Sequence, residues 1–543
     1  MAPTFNLADL FEVVADACPD RTALVAGEVR LTYRELDERA NRVAHAFEAA
    51  GLEPGDHVGV YARNRAEWLE AMIGAFKART VPVNVNFRYV EDELRYIFDN
   101  ADLKALVVER EYLPKVAAVS PDSPLLRTVF VLEDGTPDGT ADGPGALVGA
   151  DGGGIALLGF EDALGAVSPA RDFGPRSPDD RYMVYTGGTT GFPKGVEWRA
   201  EDIFCSALGG GNFGGEPIAE PGELARKADV PAVVQMLTTP LMHGNGQWVT
   251  WITLMGAGTA VLWTGHRYDA AEILRTVERE RAVTMMLVGD AMARPIADEL
   301  AKGGYDVSCL RVVGSGGALL SPAVKEQLRG LLPALFISDG FGASEFGAGS
   351  AQNAAGRFPL KPKTAVLGDD LRPVRVGETG RMARTGYIPV GYYKDPEKTA
   401  ATFPVDPDGV RWVVPGDYAR VEDDGTVTLL GRGSVCINTG GEKVYPEEVE
   451  GVLKAHPAVY DVVVVGVPDA RFGERVAAVA SVRAGHAVTI GELAEHSRTL
   501  IAGYKVPRDL VVVDAVPRSP AGKPDYRWAK DVAVKAAEAS PVP

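Results

Sequence analysis

Apolar positions along the chain follow two rhythms. From Thr32 the rhythm is helical, with Leu36, Ala40, Val43 and Phe47 on one face. Thr32 and Glu35 have capping-box spacing, each side chain satisfying the other's backbone donor, and Gly51 supplies the stop. Strand-length apolar runs follow at His57–Tyr61, 105–108 and Thr128–Leu132, with amphipathic stretches at 67–78 and Glu91–Asn100 between them. This alternation predicts α/β layers with largely parallel sheets.

Residues 134–154, rich in Gly, Asp, Pro and Ala, read as a surface connection. Strand runs return at 182–186, 259–263, 283–288 and 310–314, and residues 417–430 read as a hairpin turning at Glu422-Asp423-Asp424-Gly425. A new unit begins after Gly431-Arg432-Gly433-Ser434. Its pattern gives a helix at 446–456, strands at 461–467 and 476–482, a helix at 490–501 and a strand at 510–513. The predicted domains are therefore 1–432 and 433–543, with 533–543 expected to fray.

Composition narrows the class. The 543 residues include 46% hydrophobic and 24% charged positions, which is globular and excludes dominant disorder. With 56 basic against 74 acidic residues the net charge is −18, which disfavours nucleic acid but not small anions in a local positive site. The cysteines, Cys18, Cys205, Cys309 and Cys436, form no C-x-x-C pair, which fits a reducing compartment. The first residues lack the pattern of a signal peptide, and no apolar run has spanning length, so a cytoplasmic protein is expected.

The densest chemistry lies in Tyr185-Thr186-Gly187-Gly188-Thr189-Thr190-Gly191-Phe192-Pro193-Lys194-Gly195, directly after a strand-like run. Glycines permit close backbone approach, threonines add hydroxyl donors, and Lys194 adds charge, a combination suited to polyphosphate. It is not a Walker loop, because Pro193 precedes the lysine and Gly195 follows it. Gly209-Gly210-Gly211-Asn212-Phe213-Gly214 spells a dinucleotide fingerprint but follows a helix-like run. Around Ser344 the second glycine of a lipase elbow falls one place late, and no histidine pair has zinc-site spacing.

An ordered set of further motifs accompanies this loop. These are Gly316-Gly317-Ala318-Leu319-Leu320-Ser321, Asp339-Gly340-Phe341-Gly342-Ala343-Ser344-Glu345, Pro415-Gly416-Asp417, Gly431-Arg432, Gly440-Gly441-Glu442-Lys443-Val444-Tyr445-Pro446 and Ser519-Pro520-Ala521-Gly522-Lys523. With them the chain resembles, over nearly its whole length, the adenylate-forming superfamily of acyl-CoA synthetases, peptide-synthetase adenylation domains and luciferases. The stretches at 431–438 and 519–528 look closest to actinobacterial ligases of steroid side-chain and fatty carboxylates.

The resemblance implies an α/β fold. A large N-terminal domain of layered mixed and parallel sheets with helices would carry a small mobile α+β C-terminal domain. It also implies a two-step reaction. A carboxylate attacks the ATP α-phosphate, pyrophosphate leaves, and the thiol of CoA then displaces AMP from the acyl-adenylate.

By the same resemblance Thr186, Gly187, Gly188, Thr189, Thr190, Gly191 and Lys194 would hold the β- and γ-phosphates. Glu345 would ligate Mg²⁺, with Ser344 keeping a hydroxyl where threonine is usual. Phe341, in place of tyrosine, would stack on adenine between Asp339, Gly340, Gly342 and the wall Gly316, Gly317 and Ala318. Asp417 would accept from the ribose hydroxyls beside Arg432, and Lys523 would bridge carboxylate and α-phosphate. His243 would border the acyl channel, and Gly440, Gly441 and Glu442 would face CoA in the second step. Taken singly, Asp417 also reads as a turn residue, Lys523 as a solvated loop lysine and His243 as a structural histidine.

Ser434, aligned on Arg432, falls at the family's pivot, where Asp or Lys is usual, and Val435 replaces a frequent acid. This leaves open a chain that runs mainly the thioester half-reaction on a preformed adenylate, with a partner enzyme for the first half. Loading of a carrier protein, and binding of nucleotide or acyl group without turnover, also remain. The acyl pocket is expected from 204–215, 243–251, 314–320 and 342–350, including Trp248 and Trp251, three apart on one helix face. Five glycines within 209–215 leave volume, and no charged residue marks a substrate amine, which favours a bulky apolar acid: steroid side chain, polycyclic terpenoid or fatty acid. A homodimer is the base-rate expectation.

Overall fold

The computed structural model describes residues 2–136, 147–149, 152–186, 192–212, 214–318, 320–353, 356–439, 442–469, 472–519 and 522–539. Helix Tyr33–Ala49 begins as its sequence dictates. The Thr32 hydroxyl accepts from the Glu35 backbone at 3.2 Å, and the Glu35 carboxylate accepts from the Thr32 backbone at 2.8 Å. Gly51 follows at φ +82°, a left-handed conformation that a side chain would strain.

The strands of the described residues form five sheets. The largest runs in the order Gly347–Ala351, Phe336–Ala343, Val312–Gly316, Thr284–Leu287, Val234–Leu237, Thr259–Leu262, Thr22–Ala26, Val29–Thr32. Its interior pairs are parallel and its two edge pairs antiparallel. A second sheet, Val81–Asn84, His57–Tyr61, Leu103–Glu109, Thr128–Leu132 and Ala156–Gly159, is parallel throughout. The expectation of largely parallel sheets holds for these two only. Arg181–Thr186, Lys194–Arg199 and Gly391–Tyr392 pair antiparallel, as do the strands between 358 and 432. Only Asp417–Val421 and Thr426–Arg432 among them are joined by a short described turn; the other pairs, such as Gly391–Tyr392 with Lys194–Arg199, meet across long stretches of chain that the alternation of local runs does not encode.

The predicted hairpin is Asp417–Val421 and Thr426–Arg432, with Gly425 at φ +77° in its turn. After it, Ile437–Thr439, Glu442–Val444, Val459–Asp469, Gly473–Val482 and Asp509–Val512 make a fifth sheet, flanked by helices Pro446–Lys454, Ile490–Arg498 and Tyr526–Ala539. The expected fraying from 533 is corrected through 539. Ala529 and Ala533 are fully buried on the sheet, beside Val463, Val465 and Val479.

A second correction concerns the stretch 67–78. Helix Ala66–Lys77 is buried at every residue but the half-buried Glu67, with Glu70 and Lys77 among the buried ones. Glu70 accepts from Arg39 Nε at 2.7 Å, and Lys77 donates to Glu12 at 2.5 Å and to Asp37 at 2.8 Å. A helix packed between layers has no solvent face, and its charges survive burial because each meets an opposite charge. Trp248 and Trp251, on helix Gly244–Met255, are also core residues: Trp248 donates to the Tyr182 hydroxyl at 3.1 Å, and Trp251 sits against Phe11 and Phe76.

Candidate functional site

A cleft of about 2840 Å³ opens where the parallel strands of the largest sheet end and the C-terminal unit lies over them. This is where an open parallel sheet offers a crevice for ligands. Strand Val312–Gly316 pairs with Phe336–Ala343 so that Ser315 faces Asp339 and Gly316 faces Gly340. Gly317 turns out of the strand at φ +88°, and a Cβ on Gly342 would lie 2.9 Å from the Gly347 carbonyl, so these glycines keep the wall close and flat. Gly317, Ala318, Asp339, Gly340, Phe341, Gly342, Ser344 and Glu345 line the cleft. Gly316 lies at its margin, where its carbonyl accepts from Asn245 at 3.3 Å. The ring of Phe341 is braced edge-on by Phe346, with centroids 5.2 Å apart.

The antiparallel hairpin delivers the next pair. Asp417 and Arg432 are register partners, and Arg432 Nε donates to Asp417 Oδ1 at 3.3 Å. The other carboxylate oxygen of Asp417 is buried and has no hydrogen-bond partner among the described residues. An unpaired buried acceptor is costly unless a ligand donor meets it. Burial pushes the Asp417 carboxyl above the usual range and the Glu345 charge adds to this, while Arg432 and Lys523 oppose it.

Lys194 begins strand Lys194–Arg199 opposite Thr186, at the open end of the predicted phosphate loop. Gly187, Gly188, Thr189, Thr190 and Gly191 lie outside the described residues. The Lys194 ammonium pairs with Asp395 at 3.1 Å and lies 5.5 Å from the centre of the Tyr392 ring. The Tyr392 hydroxyl donates to Glu345 Oε1 at 2.8 Å, so one tyrosine links the lysine to the carboxylate.

The C-terminal unit inserts Lys523 into the same cleft. Its loop is closed by Gly522 N to Ser519 O at 2.8 Å and Ser519 N to Lys523 O at 2.9 Å. Gly522, at φ +67°, leaves no room for a side chain, since a Cβ there would lie 2.9 Å from the Val288 carbonyl. The crowding of the cleft walls, and then Arg432, lowers the Lys523 ammonium below the usual lysine value, against the pull of Glu345 and Asp417. The side chain remains open to cleft water, so the walls do not seal it.

His243 precedes helix Gly244–Met255 and borders the cleft with Met242. Its Nε2 is buried without a partner among the described residues, and burial, then Lys523 and Arg88, push its pKa down to about 4. It stands there as a neutral imidazole. Glu442 also lines the cleft, whereas Gly440 and Gly441 lie outside the described residues. Ser434 lies in the short turn Gly433–Val435.

The acyl-pocket expectation is met only in part. Residues from 243–251, 314–320 and 342–350 reach the cleft, but none of the described residues of 204–215 does, and neither do Trp248 and Trp251. The turn Gly209–Gly211 uses its glycines for packing, since a Cβ on Gly210 would lie 2.7 Å from Pro217. Tyr392 and Asp395 were not singled out by the sequence, and neither was Lys325, whose ammonium neutralises buried Asp339 at 2.7 Å. Tyr392 and Asp395 make their contacts across long stretches of chain, and none of the three belongs to a recognisable motif.

No group of three or more His, Cys, Asp or Glu residues among the described residues forms a metal cage. Glu345 as one hard carboxylate donor suits Mg²⁺, which is bound through one or two carboxylates with phosphate and water oxygens. No helix among the described residues is long and apolar enough to cross a membrane. The cleft thus joins several cations, an apolar ring, a buried carboxylate oxygen without a partner among the described residues, and a neutral histidine.

Comparison with known proteins supplies context. The family model described as AMP-binding enzyme matches residues 11–393, and the AMP-binding enzyme C-terminal domain matches 448–523. A 3-oxocholest-4-en-26-oate–CoA ligase of Rhodococcus rhodochrous is 50% identical, covering 97% of this chain and 95% of the relative. A medium/long-chain-fatty-acid–CoA/3-oxocholest-4-en-26-oate–CoA ligase of Mycobacterium tuberculosis is 49% identical, over 98% and 96% of the two chains. Among solved structures, the anthranilate CoA ligase AuaEII in complex with anthranoyl-AMP superposes with a TM-score of 0.82 over 98% of both chains. At 22% identity that match shows the shared fold.

Proposed function

Because the chain belongs to the AMP-binding enzyme family, we propose that it is an acyl-CoA ligase, joining a bulky apolar carboxylic acid to CoA through an acyl-adenylate. The observation that carries this reading is the convergence of Lys523, from the C-terminal unit, with Glu345, Asp417, Arg432 and His243 in one cleft. We place the boundary between the two units after residue 432.

In the first step a carboxylate oxygen bonds to the ATP α-phosphorus and the bond to pyrophosphate breaks. Negative charge grows between carboxylate and phosphate, and Lys523 supplies the ammonium that meets it. Phe341 stacks on adenine beside Gly317 and Ala318, with Asp339 near the base edge. Asp417 accepts hydrogen bonds from the ribose hydroxyls with its unpaired oxygen, and Arg432 holds its other oxygen in place. Thr186 and Lys194 lie at the polyphosphate end, where the lysine would exchange Asp395 for phosphate. Mg²⁺ held at Glu345 would neutralise phosphate charge, and Tyr392 orients that carboxylate. Neutral His243 adds no charge at the acyl entrance, which suits an apolar acid.

In the second step the CoA sulfur bonds to the acyl carbonyl carbon, AMP leaves with its bonding pair, and the thiol proton passes to solvent. The turn Gly433–Val435 is the pivot in this reading, and the loop before Glu442 replaces that of Lys523. The names of the relatives support a steroid side-chain acid or a medium- to long-chain fatty acid as the substrate.

A panel of steroid side-chain, terpenoid, fatty and aromatic acids, incubated with ATP, Mg²⁺ and CoA, tests the reading. Thioesters are expected from the steroid and fatty acids. Thioester from aromatic acids alone, or transfer only to a holo-carrier protein, would overturn it.

A further inference from the structure

The junction Val288-Gly289-Asp290, where strand Thr284–Leu287 passes into helix Gly289–Leu300, belongs to the large N-terminal unit. Its backbone is left-handed at Gly289, φ +54°, and the Gly289 N–H donates to Ser315 Oγ at 3.0 Å. Asp290 Oδ1 accepts from the Ser321 backbone N–H at 2.8 Å. The start of this helix is therefore fastened by two hydrogen bonds to Ser315 and Ser321, at either end of the segment that walls the cleft.

The same junction receives the C-terminal unit twice. Val288 seats the lysine loop, since Gly522 packs against its carbonyl. Asp290 faces the Lys454 ammonium at 3.6 Å, and Lys454 faces Asp461 at 3.4 Å. Lys454 and Asp290 are each more than nine-tenths buried. Arg518 Nε and Nη2 then donate to the two Asp461 oxygens, at 2.6 and 2.8 Å, and Arg518 Nη1 donates to the Gly522 carbonyl at 2.9 Å. That carbonyl immediately precedes Lys523. A line of alternating charges runs from the nucleotide wall to the peptide bearing the lysine.

Neighbouring groups reinforce the line. Arg294, one helical turn beyond Asp290, pairs with it at 3.5 Å and lies over the Tyr460 ring at 5.4 Å. Glu450, buried on the helix of Lys454, accepts from the Val464 backbone N–H at 3.0 Å. Lys454 thus lies among three carboxylates, of which only Asp290 belongs to the N-terminal unit. A buried lysine needs its partners, and rotation of the C-terminal unit would take one away.

We infer that Asp290, Lys454, Asp461 and Arg518 form a charged latch that positions Lys523 for the first half-reaction and must open for the second. The inference rests on the proposed two-step reading. Asp290 and Lys454 touch no reacting atom in it. They are positioning residues, acting through Asp461 and Arg518 on the lysine loop. Because small misplacements of a catalytic group are expensive, loosening the latch slows the step that needs Lys523. The step performed after rotation loses nothing and gains from a weaker closed state.

The test uses full-length Asp290→Asn and Lys454→Met, each keeping most of the side-chain volume. Pyrophosphate release from free acid and ATP is measured beside thioester formation from synthetic acyl-adenylate and CoA. The readout is the ratio of the two rates, because loss of folded protein lowers both equally. The ratio is expected to fall roughly tenfold to a hundredfold in each variant, mainly in kcat of the first step. An unchanged ratio in both variants would overturn the latch, whatever their melting temperatures. A wild-type chain that releases no pyrophosphate would instead refute the two-step reading itself.

Discussion

Lys523→Ala is expected to cut pyrophosphate release from free acid and ATP by about a thousandfold, the scale on which a preorganised charge donor acts on developing negative charge. Transfer to CoA from synthetic acyl-adenylate should stay within roughly threefold of the unaltered chain, since that step uses a different loop. The asymmetry follows from placement. Lys523 reaches the cleft on a loop closed by Ser519 and Gly522, and its ammonium senses Arg432, Glu345 and Asp417. The loop makes its turn with backbone hydrogen bonds, which removal of the side chain leaves in place. Separate assays of the two steps check the result, and an equal loss in both would sink the assignment.

Asp417→Asn carries the second large effect. The substitution keeps the shape of the side chain but removes its charge, and so weakens its hold on the ribose hydroxyls outside and on Arg432 inside. A charge-assisted hydrogen bond contributes about 1.5–3 kcal/mol, so KM for ATP should rise roughly tenfold to a hundredfold. KM for the acid should move little, because Asp417 sits at the nucleotide end. Initial rates of pyrophosphate release at varied ATP and varied acid, with a thermal melt alongside, measure both constants. A melt that falls while KM for ATP stays fixed would show Asp417 to be structural only.

Much of this architecture was legible because its signals are local. The capping box at Thr32, the hairpin around Gly425 and the strand runs at His57–Tyr61 and Thr128–Leu132 each depend on residues close in sequence, and the fold reproduces them. The described members of the motif set meet in or beside one cleft for a similar reason, since most of the motifs sit at one end of a strand or in the turn beside it. What the pattern hid was long-range. The helix Ala66–Lys77 looked amphipathic because Glu70 and Lys77 are charged, yet Arg39, Glu12 and Asp37 neutralise them from other elements. Trp248 and Trp251 shared a helix, but whether aromatics face a cleft or a core depends on layers that helical spacing does not encode. Tyr392, Lys325 and the pair Asp290–Lys454 earn their positions through contacts that no spacing announces.

The central claim is that one chain runs both half-reactions in one cleft. A two-stage mixing experiment tests it most directly. The protein is incubated with a steroid side-chain acid or a long-chain fatty acid, ATP and Mg²⁺, without CoA, and pyrophosphate and bound acyl-adenylate are quantified. CoA is then added and acyl-CoA and AMP are followed. The account predicts pyrophosphate and retained adenylate in the first stage, then thioester and AMP in matching amounts in the second. No pyrophosphate in the first stage, with thioester formed only when synthetic acyl-adenylate is supplied, would contradict it.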